Sequence, residues 1–176
     1  MKNILKILVV LIFFTNISLA NAMDRATDNQ WKVLKKFTPQ LKFKTFDGEI
    51  FDLQKSVQNK LTMVVFWTYW CGICKSELVM LNSLHDKYIN QNFQIIGVSL
   101  DDISKMDKIL AIAKNLKFKN GIYDKAEIVD FAKSKSIPES YLINDLGQVI
   151  KIFKGKNDQD ELEEIILKYL PQKIVK

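Results

Sequence analysis

Hydrophobic positions recur at two different spacings along this chain, and the order in which the spacings alternate predicts a fold. Leu41-Lys42-Phe43-Lys44 alternates apolar with charged, Asp47-Gly48 is a turn pair, and Glu49-Ile50-Phe51-Asp52-Leu53 resumes the alternation. Together they predict a β-hairpin. Leu61-Thr62-Met63-Val64-Val65-Phe66-Trp67 is instead almost continuously apolar and β-branched. That is the pattern of a central strand buried on both faces. From Cys71 to Asn90 proline is absent, and Leu78, Leu81, Leu84 and Tyr88 fall at helical spacing, which places one buried stripe on a long helix. A second strand is expected from Phe93 to Leu100, around Ile95-Ile96-Gly97-Val98. Asp101-Asp102 follows and can cap a helix running from about Ile103 to Leu116.

Beyond Gly121, a short Ile122-Tyr123 segment leads to a helix through Glu127, Ile128, Phe131 and Ala132, and Pro138 closes that region. Strands Ser140 to Asn144 and Gln148 to Phe153 are joined through Asp145-Leu146-Gly147, and a final amphipathic helix carries Leu162, Ile165, Ile166, Tyr169 and Leu170. This order implies an α/β fold: a central mixed sheet flanked by helices, an antiparallel C-terminal hairpin, and an extra hairpin before the first central strand. Neither an internal repeat nor a low-complexity segment interrupts it.

The first residues follow another pattern. Lys2 and Lys6 flank the start of an apolar stretch from Ile4 to Phe14, which gives way to Thr15, Asn16 and Ser18 and then to Ala20-Asn21-Ala22. This is the layout of a secretory signal peptide, residues 1–22, with cleavage after Ala22. It leaves 23–38 as an unassigned N-terminal segment and 39–176 as the folded domain. An uncleaved segment would instead anchor the chain to a membrane, although the apolar run is shorter than the ~20 residues that span a bilayer. Under either reading the domain is exported, and a periplasmic location is expected.

Removing Lys2 and Lys6 lowers the formal charge from +6 to +4, because the segment holds no acidic residue. The remaining lysines are scattered, and Arg25 is the sole arginine, so the bidentate donors typical of nucleic-acid readers are almost absent. No nucleic-acid partner is expected, and a monomer is.

The two cysteines of the chain both fall in Cys71-Gly72-Ile73-Cys74. A disulfide across two intervening residues constrains little of the unfolded chain, so the pair is poorly placed as a structural staple. A buried strand that passes through Trp70-Cys71 directly into a helix puts Cys71 at the helix N-terminus, where free amides and the macrodipole favour a thiolate. Cys74 lies one turn deeper on the same face, close enough to attack a mixed disulfide formed by Cys71. Cys71 is therefore the expected nucleophile and Cys74 the resolving thiol.

Several motifs together resemble the thioredoxin-like oxidoreductases, and within them the exported branch that includes the TlpA, ResA and cytochrome c maturation reductants. They are Phe66-Trp67, Trp70-Cys71-Gly72-Ile73-Cys74, Glu77, Gly97-Val98-Ser99-Leu100-Asp101, Ile137-Pro138, and Tyr141-Leu142-Ile143-Asn144 with Gly147. The resemblance covers roughly Pro39 to Leu170 and implies a thioredoxin fold for the domain at 39–176. It implies a reversible Cys71–Cys74 disulfide, a cis bond before Pro138, and a Pro138 that lies against the two cysteines. The backbone of Ile137 would then pair with an extended substrate segment. Glu77, one turn beyond Cys74, would accept the resolving thiol's proton, a task suited to a carboxyl with raised pKa; its alternative is a surface helix glutamate. Trp70 would form an apolar rim for substrate, with Gly72 and Ile73 between the cysteines completing the contact surface and tuning the potential. Trp67 is expected to pack.

The departures from the family are Val65 where cytoplasmic thioredoxins carry a buried acid, Ile73 in place of the common proline, and Val79 where the exported branch often kinks its helix. They bear on the potential and on the proton route rather than on the chemistry.

Rival functions leave less of the sequence explained. A zinc site lacks ligands beyond the cysteines, since the one histidine, His85, lies about three turns along the same helix; copper-delivery relatives need a wider cysteine spacing. No metal and no cofactor are expected. A peroxidase could cite Thr68, three residues before Cys71, but no arginine is near. Haem attachment fails because Lys75 follows Cys74. Two alternatives to a reductant stay open: an oxidant that donates its disulfide, and a binding module whose disulfide is inert. A reductant would act on substrate proteins with thiols or disulfides, in cytochrome c maturation by the resemblance, and would draw electrons from a membrane thiol donor.

Overall fold

The run Leu61–Trp67 forms strand β3 and is buried at every position, which its place in the sheet explains. The computed structural model describes residues 39–122, 131 and 136–171. The expected signal peptide at 1–22, the segment at 23–38 and the helix through Glu127, Ile128 and Ala132 lie outside them; of that helix only Phe131 is described.

β3 pairs in parallel with β4 (Phe93–Ser99) and antiparallel with β6 (Glu139–Ile143). β4 pairs in parallel with β5 (Lys119–Ile122), and β6 antiparallel with β7 (Val149–Lys154). The order β5-β4-β3-β6-β7 therefore puts β3 at the centre of a mixed sheet. A separate hairpin precedes it, with β1 (Lys42–Lys44) antiparallel to β2 (Ile50–Asp52) and Gly48 at positive φ in the turn.

Two expectations change in this part of the chain. Leu53 does not prolong the hairpin but opens a short helix, α1 (Leu53–Ser56), while its amide still donates to the Leu41 carbonyl at 2.9 Å. The sequence marks Ile122-Tyr123 only as a short segment, whereas Ile122 ends a strand that starts at Lys119. Its sequence, Lys-Asn-Gly-Ile, has no apolar alternation; tertiary context decides it. The hairpin closes on this strand: Thr45 bridges to Gly121, and the Phe46 amide donates to the Asn120 carbonyl at 3.0 Å. A Cβ at residue 121 would stand 2.6 Å from the Lys44 carbonyl oxygen and from the Phe43 ring, so the close approach requires glycine.

Helix α2 (Gly72–Tyr88) buries Cys74, Glu77, Leu78, Leu81, Leu84 and Tyr88. This stripe packs with Met63, Val65, Trp67 and Ile95 of the sheet in one hydrophobic cluster, which also takes Leu162 and Ile166 from α4 (Gln159–Tyr169). Each leucine buried there contributes on the order of 2 kcal/mol over leaving it in water. Asp158 caps α4, accepting from the amides of Asp160 and Glu161 at 3.0 and 3.1 Å. Helix α3 (Met106–Ala113) follows a 3₁₀ turn at Ile103–Lys105 and adds Ile109 and Ala113 to the cluster. It ends before the expected Leu116 because the amides of Asn115 and Leu116 bond to the carbonyls of Ile112 and Ala113, tightening the last turn. Phe66, Phe131 and Tyr141 form an edge-to-face trio with ring centres 4.8 to 5.8 Å apart. Among the described residues no helix is long and apolar enough to cross a membrane.

Candidate redox site

Strand β3 ends at Trp67, and the turn Thr68–Trp70 delivers Cys71 to the N-cap of α2. The Cys71 amide donates to the Thr68 carbonyl at 3.3 Å, and its own carbonyl accepts from Lys75 at 3.2 Å, the first bond of the helix. Cys71 and Cys74 form a disulfide, and the Cys74 amide also donates to the Cys71 Sγ at 3.0 Å. An amide aimed at that sulfur, at the positive end of a helix, favours negative charge on it once the disulfide opens. The two cysteines differ slightly in exposure, Cys71 at 8% and Cys74 at 1%. Around Cys71 the chain is open, with Gly72 exposed, Trp70 63% exposed and Ile73 55% exposed. Two large apolar side chains thus stand in water on either side of the outer cysteine. Trp67, by contrast, is fully buried core.

Glu77 is 0% exposed, one helical turn beyond Cys74 on the same buried stripe. The surface alternative for this residue is thereby excluded. Its Oε1 accepts a hydrogen bond from Asn157 Nδ2, while Oε2 is buried without a partner. Burial pushes the carboxyl up to about 7; the Asn157 hydrogen bond and the positive charge of Lys156 act in the opposite direction but only partly offset it. A group poised there takes up or releases a proton near neutral pH. Asn157, from the loop between β7 and α4, is a site residue the sequence did not reveal. Its neighbour Asp158 announces a helix start, but nothing links it to a glutamate 80 positions away.

The Ile137–Pro138 peptide bond is cis. Phe66 pairs with Glu139, so Pro138 comes level with Trp67, at the end of β3 from which the cysteine turn departs. Pro138 is buried, and its carbonyl accepts from the Gly155 amide at 2.8 Å. Ile137 is half-buried and packs against the cluster that contains both cysteines. Cys71, Cys74, Ile137 and Pro138 therefore gather at one end of the sheet, with Glu77 a turn below.

Glu139 is a second buried carboxyl that the sequence did not single out. It shares a sheet face with Phe66, its register partner, and accepts from the Tyr141 hydroxyl at 3.1 Å, away from the α2 side. His85 packs edge-on against Phe118 with ring centres 6.1 Å apart, and burial pushes its pKa down.

Residues 34–162 match the model of the AhpC/TSA family. The chain belongs to the AhpC/TSA family. The relatives are informative about which branch. The thiol-disulfide oxidoreductase ResA of Bacillus thuringiensis subsp. konkukian is 29% identical over 136 residues, 77% of this chain and 78% of that protein. The sporulation thiol-disulfide oxidoreductase A of Bacillus subtilis is 27% identical over 124 residues, 69% and 74% of the two chains. Among solved structures, a Chlorobium tepidum protein assigned as a thiol:disulfide interchange protein DsbE superposes with a TM-score of 0.67 at 26% identity, covering 76% of this chain and 94% of that one. The fold is thus thioredoxin-like, and this AhpC/TSA member carries the cysteine pair of a thiol-disulfide oxidoreductase.

Proposed function

We propose that the protein works outside the cytoplasm as a reductant of protein disulfides, with Cys71 as nucleophile, Cys74 as resolving thiol and Glu77 as acceptor of the Cys74 proton. One observation carries the reading: the outer sulfur sits at an accessible helix N-terminus, whereas the inner one is buried a turn above a carboxyl of near-neutral pKa. In the reduced protein the Cys71 thiolate attacks one sulfur of a substrate disulfide. That S–S bond breaks, a mixed disulfide forms, and the released substrate thiolate takes a proton from solvent. Cys74 passes its proton to Glu77 Oε2 and attacks the Cys71 sulfur. The second substrate thiolate leaves and is protonated, the Cys71–Cys74 disulfide closes, and two electrons have moved to the substrate.

Trp70 and Ile73 supply the apolar contacts around the attacked bond, Gly72 leaves the approach open, and the backbone at Ile137, ahead of Pro138, pairs with an extended substrate segment. The signal layout of residues 1–22 supports a periplasmic protein, tethered to the membrane if that segment stays uncleaved. A membrane thiol donor then restores the dithiol, and the proposed substrates are exported apoproteins with closely spaced cysteines, of the apocytochrome c kind.

The direction of transfer is tested by the equilibrium reduction potential of residues 23–176, titrated with glutathione or dithiothreitol and read by the fluorescence of Trp67 and Trp70. A value near about −270 mV is expected, and one near about −120 mV would make the protein an oxidant instead. A pair that does not titrate reversibly would favour a binding module with an inert disulfide.

A further inference from the structure

The nucleophile depends on a turn that has little regular structure of its own. Thr68–Trp70 belongs to neither β3 nor α2, yet it sets where Cys71 meets the helix N-terminus. Its backbone is fastened in three ways. The Leu100 amide donates to the Trp67 carbonyl at 2.9 Å, continuing the parallel ladder, and the Cys71 amide closes the turn on Thr68. The third tie comes from the side: the Tyr69 amide donates to Asp101 Oδ2 at 2.7 Å.

Asp101 is itself held before it reaches the turn. Ser99 Oγ donates to the same Oδ2 at 2.8 Å, and the Asp101 amide donates back to Ser99 Oγ at 3.3 Å. The carboxylate is 9% exposed, so its bonds face little competition from water. The Tyr69 ring is gripped from the same side, by Lys108 of α3 with Nζ 5.2 Å from the ring centre. The neighbouring Asp102, not Asp101, does the capping expected of this acid pair, accepting from the Ser104 amide at 2.9 Å. Asp101 is thus left for the turn.

We propose that Asp101 is a positioning residue for thiol-disulfide exchange: from the end of β4 its carboxylate fixes the Tyr69 amide, and through it the turn that presents Cys71 at the start of α2. Hydrogen bonds to a charged acceptor are short and strong, and a nucleophile displaced by about 1 Å loses rate steeply. Asp101 touches no reacting atom and acts only through Tyr69.

The test compares Asp101→Ala, Asp101→Asn and Ser99→Ala in the full chain. Two quantities are read: the rate at which Cys71 attacks a peptide disulfide, and the thiolate titration of Cys71 by ultraviolet absorbance in a Cys74→Ser background. Asp101→Ala is expected to slow attack about tenfold, within what one hydrogen bond to a charged acceptor supports, and to shift the titration upward as the sulfur leaves the helix terminus. Asp101→Asn keeps an oxygen acceptor for Tyr69 and should recover most of both. Ser99→Ala frees the carboxylate on one side and should cost about two- to threefold. Wild-type rate and titration in Asp101→Ala would overturn the proposal. So would equal losses in the Ala and Asn variants with an unmoved titration, which would assign Asp101 to stability alone. Should Asp101→Ala fail to fold, Ser99→Ala decides: wild-type behaviour there overturns the proposal, and a loss in both readouts upholds it.

Discussion

Cys71 and Cys74 share one bond and one hydrophobic cluster but differ in what lies beside them. Cys71, 8% exposed, caps a helix between the exposed Trp70 and Ile73. Cys74 is 1% exposed, with the buried Glu77 a turn beyond it on the same helix. In the proposed mechanism this difference divides the labour of the reaction. Attack on a substrate is governed by presentation and access, which a helix terminus and an open rim supply. Resolution is governed by a proton that must leave a buried thiol, which only a nearby base can receive. In the proposed mechanism a single disulfide thereby combines an outward half for recognition with an inward half for proton transfer.

Removing each sulfur in turn should have the largest effect. Cys74→Ser should accumulate a mixed disulfide with a peptide substrate, visible as a covalent adduct by mass spectrometry, while Cys71→Ser should form essentially none. Comparable adducts from both variants would erase the division between an outer and an inner cysteine.

A smaller effect separates the inward half by its titration. Glu77 holds its proton to about pH 7 in the folded chain, against 4.5 for an exposed glutamate. Between those values the folded state binds the additional proton, so stability falls as pH rises through the window and levels off above it; below it both states are protonated and the contribution is complete. The full span is at most about 3 kcal/mol. Glu77→Gln should flatten this slope in denaturant unfolding and should exceed the wild type in stability well above pH 7. An unchanged slope would mean that the carboxyl titrates normally.

The smallest effect belongs to Asn157, whose amide favours the ionised form of Glu77 through the bond to Oε1. Asn157→Ala should raise the proton affinity of Glu77 further, moving the pH at which resolution is half-maximal upward by no more than about one pH unit, since one unit equals about 1.36 kcal/mol. Attack by Cys71 should stay at the wild-type rate. A change in attack with no change in resolution would detach Asn157 from the inward half.

Much of this division could be read along the chain because it is carried by local pattern. The apolar run of β3, the 3.6-residue stripe of α2 and the placement of Cys71 between them all follow from neighbours in sequence, and so does the position of Glu77 below Cys74. The cis bond before Pro138 came with the resemblance, through the motif around it. Contacts between distant segments left no such trace. Lys119–Ile122 becomes a strand only because β4 and the hairpin close on Gly121. The Asn157 bond to Glu77 and the Asp101 bond to Tyr69 each join a loop residue to a partner far away in the chain, and polar loop residues have no periodicity to betray them. Glu139 was illegible for the related reason that a charged residue at a strand start ordinarily faces solvent, whereas here it faces Tyr141.

By the proposed mechanism Glu77 serves the inward cysteine and leaves the outward one alone. Stopped-flow kinetics of wild type and Glu77→Gln across pH, with attack and resolution followed separately by tryptophan fluorescence and product release, measures this directly. Slowed resolution with loss of its near-neutral pH dependence, alongside an unchanged attack rate, is the expected result; equal slowing of both steps, or of neither, would contradict it.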